Sequence, residues 1–180
     1  MSKFHVLGLG PSLSDFVPDS NPTIGCNDIW NYYPADYVVC IDKPFRFNEK
    51  RLASIKSGGQ KKFFTHVQEW KEIVDNYTTL ELSLIRGNLS DLHNEKVPYS
   101  NNSAFVAVVL AYRMGAKEII MYGVDLSDHH QLGKPEILKK ACEDFRNLFL
   151  ALHEKGVRLC VINKKSILSN YIPVYNSSGK

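Results

Sequence analysis

Short apolar runs rich in β-branched and aromatic residues recur along the chain at 4–9, 23–26, 37–41, 62–65, 81–85, 118–123 and 157–162. Runs of this length read as strands, and where helical patterns alternate with them they read as βα units of a parallel sheet. The two clearest helical patterns bracket the sixth run. Residues 103–114 are almost continuously apolar and stop at Gly115, and residues 135–154 set Ile137, Leu138, Ala141, Phe145, Leu148 and Leu152 at helical spacing before Gly156. A glycine just past the last periodic residue supplies the left-handed position that closes a helix. Both helices are expected to pack on the sheet. Residues 44–60 and 87–102 break the pattern and are expected as mobile loops.

A length of 180 residues suits one domain, with 1–175 expected as a single nucleotide-binding α/β unit and 176–180 as a flexible tail. Hydrophobic residues at 44% and charged residues at 23% exclude a disordered or fibrous chain. No apolar run approaches the ~18 residues that span a bilayer. The N-terminus carries no secretory h-region, so a cytoplasmic protein without a transmembrane segment is expected. Cys26, Cys40, Cys142 and Cys160 are widely spaced without a CxxC pair, which points to reduced core thiols rather than a zinc or redox centre. The formal charge of +3 permits a phosphorylated ligand but falls short of a dedicated nucleic-acid binder.

Candidate chemistry gathers after the strand-like runs. The first runs into Gly8-Leu9-Gly10-Pro11-Ser12-Leu13. Two glycines let the backbone turn sharply near a ligand, Pro11 stiffens the turn, and Ser12 can cap a following helix whose first amides favour phosphate. With Leu13 in place of a third glycine, it is not the dinucleotide fingerprint. Asn27 follows the second run, where its amide can donate and accept toward a base or ribose, or simply cap a helix. Asp42 follows the third and suits a metal, a sugar hydroxyl or a turn before Pro44. Asn102 and Ser103 open the apolar helix and offer donors to an anion, or serve as its cap. The sixth run closes with Gly123-Val124-Asp125-Leu126-Ser127-Asp128-His129-His130. A carboxylate beside two imidazoles suits acid/base work near neutral pH, with Asp128 or Asp125 orienting one ring. His129 and His130 are adjacent, so at most one is expected to act; no third ligand at zinc spacing accompanies them. His5, His66, His93 and His153 read as structural or solvent-facing.

Taken in order, Gly8-Leu9-Gly10-Pro11-Ser12-Leu13, Gly25-Cys26-Asn27, Asn102-Ser103 with the helix after it, Gly123-Val124-Asp125, the His129-His130 loop and the last strand resemble the bacterial sialyltransferases that modify surface oligosaccharides. The resemblance covers nearly the whole chain. It implies a single-domain Rossmann-like α/β fold, mostly parallel, with helices on both faces and a short lid. It also implies a cytidine monophosphate sugar donor, no metal, and a histidine that deprotonates the acceptor. By position, Gly8, Leu9, Gly10, Pro11, Ser12, Asn27, Asp42, Asn102, Ser103, Gly123 and Asp125 would line the nucleotide, and His129 or His130 would be the base. The pattern departs at Leu9, where the family has Asn, at Asp42, usually Asn, and at Asn102, usually Thr. The tyrosines that hold the leaving phosphate are replaced around Leu126 and Ser127.

The chain is also similar to pterin diphosphokinase-like proteins in its Gly-x-Gly-Pro-Ser-Leu turn, Asp42-Lys43-Pro44 and Gly123-Val124-Asp125-Leu126. That alternative implies ATP and magnesium held by Asp42 and Asp125. Two further alternatives are a nucleotide-binding protein without catalysis, and a sugar transferase acting on nucleic acid through Lys50, Arg51, Lys56, Lys61 and Lys62 beside Phe45 and Phe47. The expected partners are a nucleotide-sugar donor and a glycan or other hydroxyl acceptor. A homo-oligomer is compatible with the composition.

Overall fold

A computed structural model describes residues 2–127 and 135–176. Strands β1 (Lys3–Leu7), β2 (Thr23–Cys26), β3 (Tyr37–Val39), β4 (Lys62–Thr65), β5 (Tyr77–Thr79), β8 (Glu118–Tyr122) and β9 (Arg158–Val161) form one sheet in the order β5-β4-β3-β2-β1-β8-β9. Every pairing in it is parallel. Strands β6 (Leu82–Arg86) and β7 (Val97–Tyr99) pair separately as a two-stranded parallel sheet. The helices are α1 (Glu49–Ser57), α2 (Ser103–Arg113) and α3 (Pro135–Glu154).

Alternation along each strand sends side chains to two cores. Phe4, Val6, Ile24, Val39 and Phe64 meet α2 and α3, whereas Leu7, Val38, Phe63, Ile120 and Tyr122 meet 3-10 turns and α1. Nine consecutive residues of α2, Ser103 to Ala111, are buried. A helix apolar all round belongs between two layers, and α2 lies between the main sheet and β7. The mostly parallel α/β fold with helices on both faces is therefore as the motifs imply.

Four elements depart from expectation. The 81–85 run forms a strand outside the main sheet. Strand β5 consists of three residues, none of them buried, so no apolar run announces it. Strand β7 lies inside the expected 87–102 loop and contains Pro98, which weakens a strand signal. Helix α1 lies inside the expected 44–60 loop; only Ile55 of its nine residues is buried, which hides the helical period. Its start is fixed by the Asn48 side chain, which accepts from the Arg51 amide at 3.0 Å as an N-cap.

All four cysteines are free and buried. Burial pushes the Cys26 thiol up to about 12 and raises Cys40, Cys142 and Cys160 as well, so these sulfurs stay protonated and inert. Among the described residues no helix is long and apolar enough to cross a membrane. Residues 177–180, and with them most of the expected tail, lie outside the described residues.

His5 is buried on β1, edge-on to Phe16 and Tyr122, with Nε2 3.0 Å from Asp19 Oδ1. Burial lowers its pKa against the opposing pull of Asp19. A histidine lowered on folding leaves the unfolded chain holding more protons below about pH 6.5, so its stabilisation is present above that pH and lost as pH falls toward the folded value. Asp19 and Asp36 are also lowered: burial would raise both, but hydrogen bonds from Asn21 and from Lys61 and Thr23 respectively outweigh it, which places their loss below pH 4. His66 shares the near-neutral window: its ring is exposed by surface area, yet partial desolvation by its neighbours lowers it against the pull of Asp42 and Glu69. Urea midpoints at pH 7 and 5 are expected to differ less in His5→Gln than in the wild type; an equal difference in both would remove His5 from this role.

Candidate functional site

From β1 the chain builds outward through β2, β3, β4 and β5, then returns to add β8 and β9 on the opposite side of β1. The order thus reverses between β1 and β8. In an open parallel sheet, ligands bind in the crevice outside the carboxyl ends of the strands at such a switch point. The turn after β1 and the Gly-x-Asp after β8 leave their strands at this place.

These two segments interlock. Gly8 N–H donates to Tyr122 O and Gly10 N–H to Gly123 O, both at 2.8 Å. Ser12 N–H donates to Asp125 Oδ2 at 2.7 Å, and Gly123 N–H donates to Ser12 Oγ at 2.8 Å. Ser12 and Asp125 are 3% and 2% exposed. A Cβ on Gly8 would run into Gly123 O, and one on Gly10 would lie 2.6 Å from Asp125 Oδ2. The two glycines thus make room for the neighbouring loop. Pro11–Asp15 forms a single five-residue 3-10 turn rather than an α-helix, so the phosphate-favouring helix start expected after Ser12 is not built. The Ser12 amide is already taken by Asp125. What remains of Asp125 for a ligand is Oδ1, buried and unpartnered.

Next to this clasp, Asn27 leaves β2 in a left-handed conformation, φ 53°, and Leu126 beyond β8 does the same at φ 60°. They are the two non-glycine residues with positive φ among the described residues, and both stand at the carboxyl edge. Backbone strain of this kind collects where a site must aim its groups. Ser103 Oγ donates to Asn27 Oδ1 at 3.2 Å, which joins the start of α2 to the end of β2 and leaves the Asn27 Nδ2 donors available. Asn102 caps α2, its Oδ1 accepting from the amides of Ala104 at 2.8 Å and Phe105 at 3.4 Å. The capping reading of this pair holds at Asn102, while the Ser103 hydroxyl donates to Asn27. Leu9 packs partly buried against the 3-10 face of the sheet, and Pro11 is exposed at the head of the turn.

Asp42 follows β3 and accepts from Arg46 Nη1 at 3.1 Å. Since β3, β2, β1 and β8 lie side by side, three strand spacings separate it from Asp125, roughly 14 Å. One magnesium ion reaches ligands at about 2.1 Å, so these two carboxylates do not fit a shared metal. Among the described residues no group of three or more His, Cys, Asp or Glu is placed to hold one. The basic stretch is also partly spent: Arg51 Nη2 donates to Asp28 Oδ1 at 2.6 Å, and Lys61 Nζ lies 2.9 Å from Asp36. Phe45 is exposed, whereas Phe47 is buried edge-on to Trp70. Asp128, His129 and His130 lie outside the described residues.

Two features escaped the reading of the sequence. Asp28 is buried and anchors α1 through Arg51, a pairing 23 residues apart that no local signal announces. The β3–β4 register carries His66 to the carboxyl edge, level with Ile41 and next to Asp42. No local motif marks it, because a long-range pairing brings it there.

No family model and no curated protein matches the sequence. Solved structures do match. The sialyltransferase CstII from Campylobacter jejuni in complex with cytidine-5'-monophosphate aligns over 98% of this chain and 86% of its own, with a TM-score of 0.59 and 16% identity. Sialyltransferase CST-II with a trisaccharide acceptor and CMP aligns over 97% and 86%, with a TM-score of 0.60 and 16% identity. An apo alpha-2,3-sialyltransferase from Campylobacter jejuni aligns over 98% and 80%, with a TM-score of 0.61 and 18% identity. The fold is shared along nearly the entire chain, in agreement with the resemblance carried by the motifs.

Proposed function

We propose that the protein is a metal-independent glycosyltransferase that moves a sugar from a pyrimidine nucleotide, a CMP-sugar first among them, to an acceptor hydroxyl on a glycan or other molecule. The observation that carries this reading is the gathering of Asn27, Ser103 and Asp125, with its unpartnered Oδ1, at the carboxyl edge beside the β1/β8 switch point, in a fold shared with sialyltransferase structures solved with CMP. The Asn27 amide and the Asp125 oxygen serve the nucleotide, the first as donor and the second as acceptor toward a hydroxyl. His129 or His130, oriented by Asp128, takes the proton from the acceptor hydroxyl; that oxygen bonds to the anomeric carbon as the nucleotide leaves with the bonding pair. Positioning of the two substrates and neutral-pH proton transfer are the chief contributions. The acceptor is a glycan in preference to nucleic acid, because Arg51 and Lys61 are occupied by internal carboxylates.

A ligand held only by the folded state raises the melting midpoint. Melting with CMP, CDP, UMP, UDP, GDP, ADP and ATP, each with magnesium and with chelator, is expected to show a rise with CMP or another pyrimidine nucleotide that chelation leaves intact. A rise confined to ATP with magnesium would overturn this reading in favour of diphosphate transfer. Silence across the whole panel would overturn nucleotide binding altogether.

A further inference from the structure

The loop from β7 into α2 is anchored from an unexpected side. Asp144 of α3 is 1% exposed, and its Oδ2 accepts from Ser100 Oγ and from Arg86 Nε, both at 2.8 Å. Lys140 Nζ lies 3.5 Å from Oδ1 on the same helix. Gly87, at φ 72°, donates to Tyr99 O at 2.8 Å, and a Cβ there would lie 3.1 Å from Asp144 Oδ1. One carboxylate thus ties together α3, the end of β6 and the residue that follows β7. Two residues beyond Ser100 stands the Asn102 cap, and three beyond it Ser103, which donates to Asn27.

A buried charge gathers little net stability compared with an apolar side chain of equal volume, because desolvation offsets most of the Coulomb attraction. What several directional partners on one carboxylate do supply is a fixed orientation for the groups that donate to it. We propose that Asp144 is a positioning residue: through Ser100 it sets the Asn102 cap and the Ser103 hydroxyl beside Asn27 at the carboxyl edge of the sheet. Its consequence for nucleotide affinity rests on the glycosyltransferase reading; the positioning itself does not.

The test uses the full chain with Asp144→Asn, the milder Ser100→Ala, and Leu148→Ala as a variant that removes buried volume from α3 without touching the network. Hydrogen exchange is followed at the Ala104 and Phe105 amides, which the Asn102 side chain accepts from, and at Val108 and Val109 within α2. Asp144→Asn and Ser100→Ala are expected to speed exchange at Ala104 and Phe105 by about tenfold, the loss of one charge-assisted hydrogen bond, with Val108 and Val109 unchanged. Leu148→Ala is expected to speed all four together or none. Cap amides that keep their wild-type rates in both network variants overturn the proposal, whatever the protein binds. The CMP dissociation constant, measured well below every melting midpoint, is expected to rise by a similar factor in the two network variants and to stay constant in Leu148→Ala. A loosened cap with unchanged CMP affinity would confine Asp144 to holding the fold and overturn its role at the site. A wild type that binds no pyrimidine nucleotide would defeat the glycosyltransferase reading and leave the exchange result to decide the positioning.

Discussion

Replacing Gly123 by alanine is expected to lower the melting midpoint by roughly 6–12 °C, from a loss of about 3 kcal/mol in a domain of this size. Two costs combine there. Gly123 sits at φ 64°, where a Cβ crowds its own backbone, and the added atom would lie 2.5 Å from Gly8 O and 2.7 Å from Gly8 C. Those neighbours are backbone atoms of the β1 exit, held by the Gly8 and Gly10 amides donating to Tyr122 O and Gly123 O. They cannot swing aside as the end of a side chain would. Gly156→Ala separates the two costs, since Gly156 has φ 70° but nothing within 4 Å of its Cβ position. It is expected to lose only the conformational part, about 1 kcal/mol. Differential scanning calorimetry on the pair checks the claim, and equal midpoints for Gly123→Ala and Gly156→Ala would show that the clasp yields. Nucleotide affinity should fall in Gly123→Ala as well, because the same contact holds Ser12 against Asp125.

That clasp also marks where the sequence could be read and where it could not. The strands at 4–9, 23–26, 37–41, 62–65, 118–123 and 157–162 announce themselves by apolar runs because parallel strands covered on both faces have few polar positions to interrupt them. Helix α3 declares itself by period, with Phe145, Leu148 and Leu152 buried along one side. Strand β5 and helix α1 bury too little to leave a pattern. At the site, position along the chain placed Gly8, Gly10, Ser12, Asn27, Ser103, Gly123 and Asp125 at one sheet edge correctly. Their roles were another matter. Whether a glycine admits a phosphate or a neighbouring loop depends on what stands opposite, and Gly123 stands 111 residues after Ser12, to which it donates. The carboxylate pair Asp42 and Asp125 failed as a metal site for the same reason: spacing in sequence says nothing of three intervening strands. Asp144 and Ser100, 44 residues apart, carry no local signal at all.

One of His129→Ala and His130→Ala is expected to slow sugar transfer by about 10²–10⁴-fold, the usual contribution of a positioned general base, while the other stays within a few-fold of wild type. The described histidines make poorer candidates. His5 is buried within the sheet, with burial lowering its pKa and Asp19 holding Nε2. His93 meets the Tyr112 hydroxyl at 2.7 Å, and His153 lies against Phe149 on α3. His66 is the serious rival, exposed at the carboxyl end of β4 beside Asp42. Three strand spacings, roughly 14 Å, separate β4 from β1, too far for proton transfer to an acceptor poised at the β1/β8 crevice. His66→Ala is therefore expected to keep kcat/KM within about threefold. The assay follows CMP release from whichever CMP-sugar the nucleotide panel selects, with acceptor present, across pH 5 to 8. In the wild type the rate should climb with pH and level off above the base's pKa, about 6.5 for an unperturbed imidazole, since only the neutral ring can take the proton. Loss of that inflection together with the rate in one of the two loop variants identifies the base. If His66→Ala abolishes both instead, the acceptor lies over β3 and β4 with Asp42 orienting the ring, and the crevice at β1/β8 holds the nucleotide alone.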